Sequence, residues 1–243
     1  MTNNTNNLGK KIFDKLTYEQ RQQFNKIVLD ATYKAQKIYG FDMTRKPDSY
    51  SNTHNNEADA FKHVYLSWYL SHYYGRAVAK WLGNMHEDET PNASVEERNM
   101  DLWNNSIGRE LADNINRNYV DIKKMSKDEL SDFVSEIIVK KMRNGELITN
   151  PDDKRSYKNM MYDRLQDKDR IFYEGEYWDE LDEDERRRYS KHYTNYKNRV
   201  KGNFPTKAEL ITKTLLGEYI YVNNYTRADG TKVNGYYRRR VTY

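Results

Sequence analysis

Apolar side chains recur at helical spacing through most of the first 150 residues, and polar capping residues precede several of these stretches. Thr17, Ser94 and Ser126 are each followed three positions later by Glu or Gln. This pattern is typical of a helix start in which the two side chains each accept a hydrogen bond from the other residue's backbone N–H. Each of the three residues is therefore predicted to begin a helix.

Two more helices are predicted between the first and second of these starts. One covers roughly 57–74, with Gly75 as its terminal glycine. The next is short and is predicted to end before His86. Together the five segments predict a helical bundle over residues 10–150, after a disordered start at 1–9.

The pattern changes after this bundle. Residues 151–217 are highly charged and carry widely spaced tyrosines, which predicts a charged, tyrosine-rich helical extension. Its last helix is predicted to be capped by Thr206 and to end at Gly217. The basic run 186–188 follows the acidic run 182–185, so we expect ion pairs along a helix here rather than a nucleic-acid surface.

The period becomes two at residue 218, which predicts a β-hairpin arm over 218–243 with a turn at 228–230. Two strands alone are marginal in water, so the arm should lie on something. We expect it to project from the helical body and pair with a neighbouring chain; the alternative is that it folds back on the acidic segment 174–185. The residues expected to bind the partner are Tyr219, Tyr221, Tyr225, Arg227, Tyr237, Arg238 and Arg239.

The predicted fold class is thus mainly α: a helical bundle with a charged helical extension and a C-terminal β-hairpin arm. The amino-acid composition excludes several kinds of site and partner. The mean hydropathy is -1.13, and 22 tyrosines must supply much of the core. The net charge of +4 is too small to predict nucleic-acid binding beyond the basic tail. The absence of cysteine excludes disulfides, thiolate metal sites and a cysteine nucleophile.

The N-terminal segment gives no sign of export. Residues 1–7 are polar and lack the apolar stretch of a signal peptide. No apolar run is long enough to span a bilayer, so no membrane association is expected.

Catalytic-type side chains concentrate between residues 54 and 109. Asp59 and His63 are four residues apart, as are Asp101 and Asn105, so each pair should share a helix face. An isolated buried histidine would lack hydrogen-bond partners, so we expect His63, His86 and Asp101 to lie in one pocket. The candidate catalytic residues are His63, His86, Glu87, Asp101, Asn105 and Asp59.

One interpretation of this region is a metal site. His63, His86 and Asp101 are suitable ligands for a divalent cation, and neighbouring carboxylates could support them. No histidine lies four residues after His86, so the spacing of the common zinc proteases is absent. A bound divalent metal therefore stays one open alternative.

Two other interpretations need no metal. In one, His63 is a general base oriented by Asp59 or Asp101, Glu87 is the acid, and Asn105 or Arg109 stabilises an oxyanion. In the other, these side chains form a buried polar network without catalysis. In that network Gly108 lets two helices approach closely, and Arg109 lies on the surface.

The blocks Asp59-Ala60-Phe61-Lys62-His63, His86-Glu87 and Met100-Asp101-Leu102-Trp103-Asn104-Asn105 with Gly108-Arg109 occur in this order. They resemble a bacterial and phage helical domain family of unassigned biochemistry, often found in toxin-like or secreted contexts. Its usual form is Asp-Ala-Phe-Arg-His, so Lys62 stands where an arginine is usual. The segment 225–238 is similar to C-terminal tails of phage-encoded and mobile-element proteins.

Two function classes follow. We favour a structural virion component of a tailed bacteriophage, a neck or connector ring subunit that forms a homo-oligomer or a ring with other virion proteins. The alternative is a toxin-like or virion-associated hydrolase that uses His63, His86 and Asp101, with or without a metal. The first predicts location in the virion, and the second predicts the bacterial cytoplasm or delivery as an effector.

Overall fold

The computed structural model is mostly helical and ends in a small antiparallel ribbon, which confirms the predicted mainly-α fold. It describes residues 16–40, 53–89, 93–119, 122, 124–160, 187, 207–223, 225–227, 229–233 and 236–240. The helices are α1 (Tyr18–Ile38), α2 (Glu57–Tyr74), α3 (Arg76–Glu89), α4 (Val95–Asn118), α5 (Lys127–Arg143) and α6 (Lys207–Leu215). The strands are β1 (Tyr219–Val222), β2 (Tyr225–Thr226), β3 (Lys232–Val233) and β4 (Tyr236–Arg239).

The three capped helix starts predicted from sequence are confirmed. Thr17, Ser94 and Ser126 each accept a hydrogen bond from the backbone N–H three residues later, and the Gln or Glu at that position accepts one in return. Each cap stabilises its helix by roughly 1 kcal/mol, because it satisfies donors that have no partner within the helix. The caps therefore fix where α1, α4 and α5 begin.

Helix α2 ends as predicted, but α3 is longer than predicted. Gly75, at φ 87°, follows the last residue of α2. Helix α3 continues to Glu89, so the prediction that His86 lies beyond the helix is wrong. The extra turns place Met85 against an apolar cluster and turn Glu87 inward toward Asn105 on α4.

The core of the bundle lies between α1, α2, α4 and α5. Its largest fully buried side chains include Phe61, Trp68 and Met100. Helices α2 and α4 approach so closely that a Cβ atom at Gly108 would lie 2.3 Å from the carbonyl oxygen of Val64. The expectation that Gly108 permits this approach is confirmed, and the approach brings the polar faces of α2 and α4 together.

Arg109 is fully buried, so the prediction that it lies on the surface is wrong. The whole stretch 104–109 is buried, because neighbouring elements cover α4 on several sides at this point. Helical spacing alone gave no sign of this, since the apolar residues of α4 mark only one of its buried faces.

The arm is an antiparallel ribbon, in which Tyr221 on β1 pairs with Tyr237 on β4 and β2 pairs with β3. It does not project from the body as predicted. Tyr237 packs on an apolar cluster that includes Leu70 and Leu215, and a Cβ atom at Gly75 would lie 2.2 Å from the Tyr237 hydroxyl oxygen. The tyrosine pair therefore packs over a glycine at the end of α2.

Several predictions fall on residues that the structure does not describe: the start at 1–9, most of the extension, and contact of the arm with 174–185. No helix in the described ranges is long and apolar enough to span a bilayer.

Candidate functional site

His63 lies at the centre of a buried polar cluster formed by three helices. Helix α2 contributes Asp59 and His63, α3 contributes Glu87, and α4 contributes Asp101 and Asn105. The capping turn of α2 is linked to that of α4, since the Asn55 side chain donates a hydrogen bond to Glu97. The close approach at Gly108 places the polar faces of the helices against each other.

Asn105 orients the His63 ring. Its Nδ2 donates to Glu87 Oε1 at 3.1 Å, which leaves its Oδ1 to face His63 Nδ1 at 3.3 Å. An amide oxygen only accepts hydrogen bonds, so His63 Nδ1 carries the hydrogen of this contact.

The other ring nitrogen of His63 faces two carboxylates. Nε2 lies 3.2 Å from Asp101 Oδ1 and 3.5 Å from Asp59 Oδ1. A lone pair on Nε2 would face two negative oxygens, whereas a proton or a cation at this position would attract both. The geometry therefore favours a positive charge at Nε2.

The negative charges around His63 stabilise a proton on its ring. Burial lowers the pKa of His63, but the carboxylates of Asp101, Asp59 and Glu87 together raise it above the ordinary value. The ring therefore holds its second proton more strongly than an ordinary histidine does, which suits it to act as an acid or a positive charge rather than as a base.

Asp59 is held as an anion by contacts at the start of α2. Its Oδ1 lies 2.6 Å from Lys62 Nζ, and its Oδ2 accepts from the Asn55 backbone N–H at 2.7 Å. Burial would raise the pKa of Asp59, but His63 and Lys62 hold it below the ordinary value. Lys62 thus has a charge role, three residues after Asp59 on the same helix face, that sequence reasoning did not assign.

Glu87 behaves differently from the two aspartates. Burial and the nearby Asp101 carboxyl group raise the pKa of Glu87 to about 7, although the charge on His63 opposes the shift. A carboxyl group with a pKa near neutrality can both donate and accept a proton at working pH.

His86 is exposed at the edge of the cluster, one residue before Glu87. Its ring centroid lies 6.4 Å from that of His63. The protein packed around His86 lowers its pKa, and the charges of His63 and Lys62 lower it further. Near pH 7 His86 is therefore mostly neutral and able to accept a proton.

The residues that could hold a metal differ from the predicted set. In the part of the chain that the structure describes, Asp59, His63 and Asp101 each offer a ligand atom, and these atoms lie within 4.8 Å of one another. His86 is outside this group, and Asp59 takes the place predicted for it. Two carboxylates and one imidazole suit hard or borderline divalent cations.

The structure thus brings His63, Glu87, Asp101, Asn105 and Asp59 into contact and places His86 beside them. The seven residues predicted to bind a partner fall into two groups in the structure. Tyr221 and Tyr237 cover Gly75, and Tyr219 lies 5.6 Å from the Lys213 ammonium group. The other four lie outside that tyrosine pair, on or beside the strands of the ribbon: Tyr225, Arg227, Arg238 and Arg239.

Residues 31–146 match the model of one protein family. It is described as a domain of unknown function (DUF6973). The matched region holds every residue of the polar cluster, and it agrees with the resemblance to a domain family of unassigned biochemistry. No curated protein and no solved structure gave a significant match. Association with phages stays a prediction.

Proposed function

We propose that the DUF6973 region is a hydrolytic enzyme whose acid–base chemistry is carried out by the His63 cluster. The observation that carries this proposal is the fixed orientation of His63: Nδ1 bonded to Asn105 and Nε2 held against Asp101. A purely structural network does not need a histidine of raised pKa beside a carboxyl group whose pKa is raised to about 7.

The roles follow from the charges. Neutral His86, at the exposed edge, takes a proton from the attacking water. Protonated His63 stabilises the negative charge that develops on the substrate, and Glu87 donates a proton to the leaving group. This differs from the sequence-based interpretation, in which His63 was the base and Arg109 was a candidate for oxyanion stabilisation. Arg109 is fully buried, so we assign it no contact with substrate.

The test is hydrolysis of chromogenic carboxylic ester, phosphodiester and peptide substrates by the purified chain. We expect at least one class to be cleaved, and His63→Gln or His86→Gln to reduce kcat/KM by about 100-fold or more. His54→Gln is the matched control, because His54 lies at the partly exposed margin beside Glu97. Equal activity of all variants, or no cleavage in any class, would contradict the proposal.

A metal-dependent form of the same enzyme is favoured by the short distances among Asp59, His63 and Asp101. Here a divalent cation would replace the proton at Nε2 and supply the positive charge. Activity that is abolished by chelator and restored by a divalent metal would select this form.

The second candidate function is the structural virion component favoured from sequence. What supports it is the ribbon, since β1 and β4 pair only with each other among the described strands. Each strand therefore has an outer edge with which no described strand pairs, and such edges can accept an added strand. The test is light scattering of the full chain, alone and with isolated tail or connector proteins. A monomer that binds none of them would count against this candidate.

A further inference from the structure

A cavity of about 490 Å³ lies where the arm meets the C-terminal ends of α2 and α4. His72 and Asn116 line it from the last turns of these helices, and Asn223, Tyr225, Tyr236 and Arg238 line it from the arm. None of its lining residues belongs to the His63 cluster. A cavity of this size is in the range of sites that hold small molecules.

The docking of the arm forms this cavity. Gly75 has φ +87° and no side chain, which allows the hydroxyl end of Tyr237 to lie over it. Because Tyr237 is in β4 between Tyr236 and Arg238, its position also fixes those two lining residues.

The interior offers aromatic surface together with hydrogen-bonding groups. Asn223 Oδ1 and His72 Nδ1 are both buried, and neither has a hydrogen-bond partner among the described residues. Burial lowers the pKa of His72, although the nearby Asn116 side chain opposes the shift. A neutral imidazole and two amides can both donate and accept, which suits the edge of a heterocyclic ring.

The mouth of the cavity is basic. Arg238 is exposed, and none of the described residues that line the cavity is acidic. Residues 218–243 contain five basic and two acidic residues, a net charge of +3 within a chain of net charge +4. A ligand with a ring inside the cavity would therefore be favoured if it carried negative charge at the mouth.

We propose that this cavity binds a nucleotide, either free or as one unit of a single strand. The base lies against Tyr225 or Tyr236, its edge reaches Asn223 and His72, and its phosphate meets the Arg238 guanidinium. This site is separate from the proposed hydrolytic centre and does not depend on it.

Calorimetric titration of the full chain with the four nucleoside monophosphates, the matching nucleosides and short single-stranded oligonucleotides tests the proposal. We expect saturable binding of at least one monophosphate and weaker binding of its nucleoside. If the oligonucleotide binds more tightly than the monophosphate, the ligand is a single strand. If it does not, the ligand is a free nucleotide.

Arg238→Gln and Arg239→Gln are a matched pair, since the two arginines are adjacent and exposed on β4 and only Arg238 lines the cavity. We expect Arg238→Gln to weaken monophosphate binding about tenfold and Arg239→Gln to weaken it less than about threefold. Asn223→Leu should weaken the nucleoside as much as the monophosphate. Equal losses in the two arginine variants, or no saturable binding by the wild type, would overturn the proposal.

Discussion

Asp101 on α4 lies with its Oδ1 3.2 Å from Nε2 of His63 on α2, so the shortest contact between His63 and a carboxylate among the described residues joins two helices. Asp101 raises the pKa of His63 more than the other carboxylates do. The effect of Asp101 on the pKa of His63 can be tested by Asp101→Asn, because asparagine keeps the shape of the side chain and removes its charge.

Asp101→Asn should lower the pKa of His63, and nuclear magnetic resonance of the ring hydrogens can follow that titration. A raised folded-state pKa contributes stability that is present below the unfolded pKa and lost as pH rises through the folded value. The variant should therefore lose about 1–3 kcal/mol of unfolding free energy at about pH 6 and less at about pH 9. An unchanged titration of His63 would show that Asp101 does not hold the proton.

The second prediction concerns Glu87 and the pH dependence of the unfolding free energy. Its pKa is raised to about 7, so the free energy that favours its protonated form stabilises the fold in acid and is lost as pH rises through about 7. Glu87→Gln imitates the protonated carboxyl group at every pH. The unfolding free energy of the variant minus that of the wild type should therefore increase between about pH 5 and pH 8, by an amount on the order of a few kcal/mol.

Urea denaturation across this pH range measures the difference. A difference that stays constant with pH would mean that Glu87 titrates normally, and it would remove the proposed proton donor.

The metal alternative is tested by equilibrium dialysis of the purified chain against zinc or manganese. If the cluster binds metal, Asp59→Asn and Asp101→Asn should each weaken binding at least tenfold, because each removes a charged ligand. His86→Ala should leave binding nearly unchanged, since His86 is outside the group of ligand atoms within 4.8 Å. Loss of binding in His86→Ala would instead support the ligand set predicted from sequence.

Gly108 tests whether the site depends on the approach of α2 and α4. A Cβ atom there would lie 2.3 Å from the Val64 carbonyl oxygen and 2.9 Å from the Trp68 backbone nitrogen, and neither backbone atom can move freely. Gly108→Ala should lower the free energy of unfolding by about 1–3 kcal/mol or more. Gly83→Ala is the control, because among the described residues its Cβ would meet only the Asn105 side chain, at 3.3 Å. The control should change stability by less than about 1 kcal/mol, since alanine also favours the helix.

The sequence predicted the parts of the fold that depend on neighbours along the chain. The caps at Thr17, Ser94 and Ser126 are local hydrogen-bond patterns, so their positions were predictable. The end of α3 was not, because Glu87 stays in the helix through its contact with Asn105, which belongs to another helix.

In the site, too, features set by neighbours along the chain were predictable and features set by tertiary contacts were not. The four-residue spacing of Asp59 and His63 placed them on one face, but the rotation of α2 against α4 depends on packing at Gly108. The burial of Arg109 and the low exposure of Glu87 also depend on which helices surround them. These tertiary contacts decide which groups are charged, and so they changed the role assigned to His63.

The docked arm gives the last prediction, and it reverses the one made from sequence. An arm that projected could be deleted with little change in melting temperature. Here Tyr237 packs on an apolar cluster that includes Leu70 and Leu215. Burial of a large side chain contributes about 1.5–3 kcal/mol, so deletion of 219–243 should lower the melting temperature by roughly 5 °C or more. Tyr237→Ala should reproduce much of this loss, whereas Arg239→Gln, at an exposed position in the same strand, should not. Calorimetry of the three variants would contradict the docked arrangement if the deletion melted at the wild-type temperature.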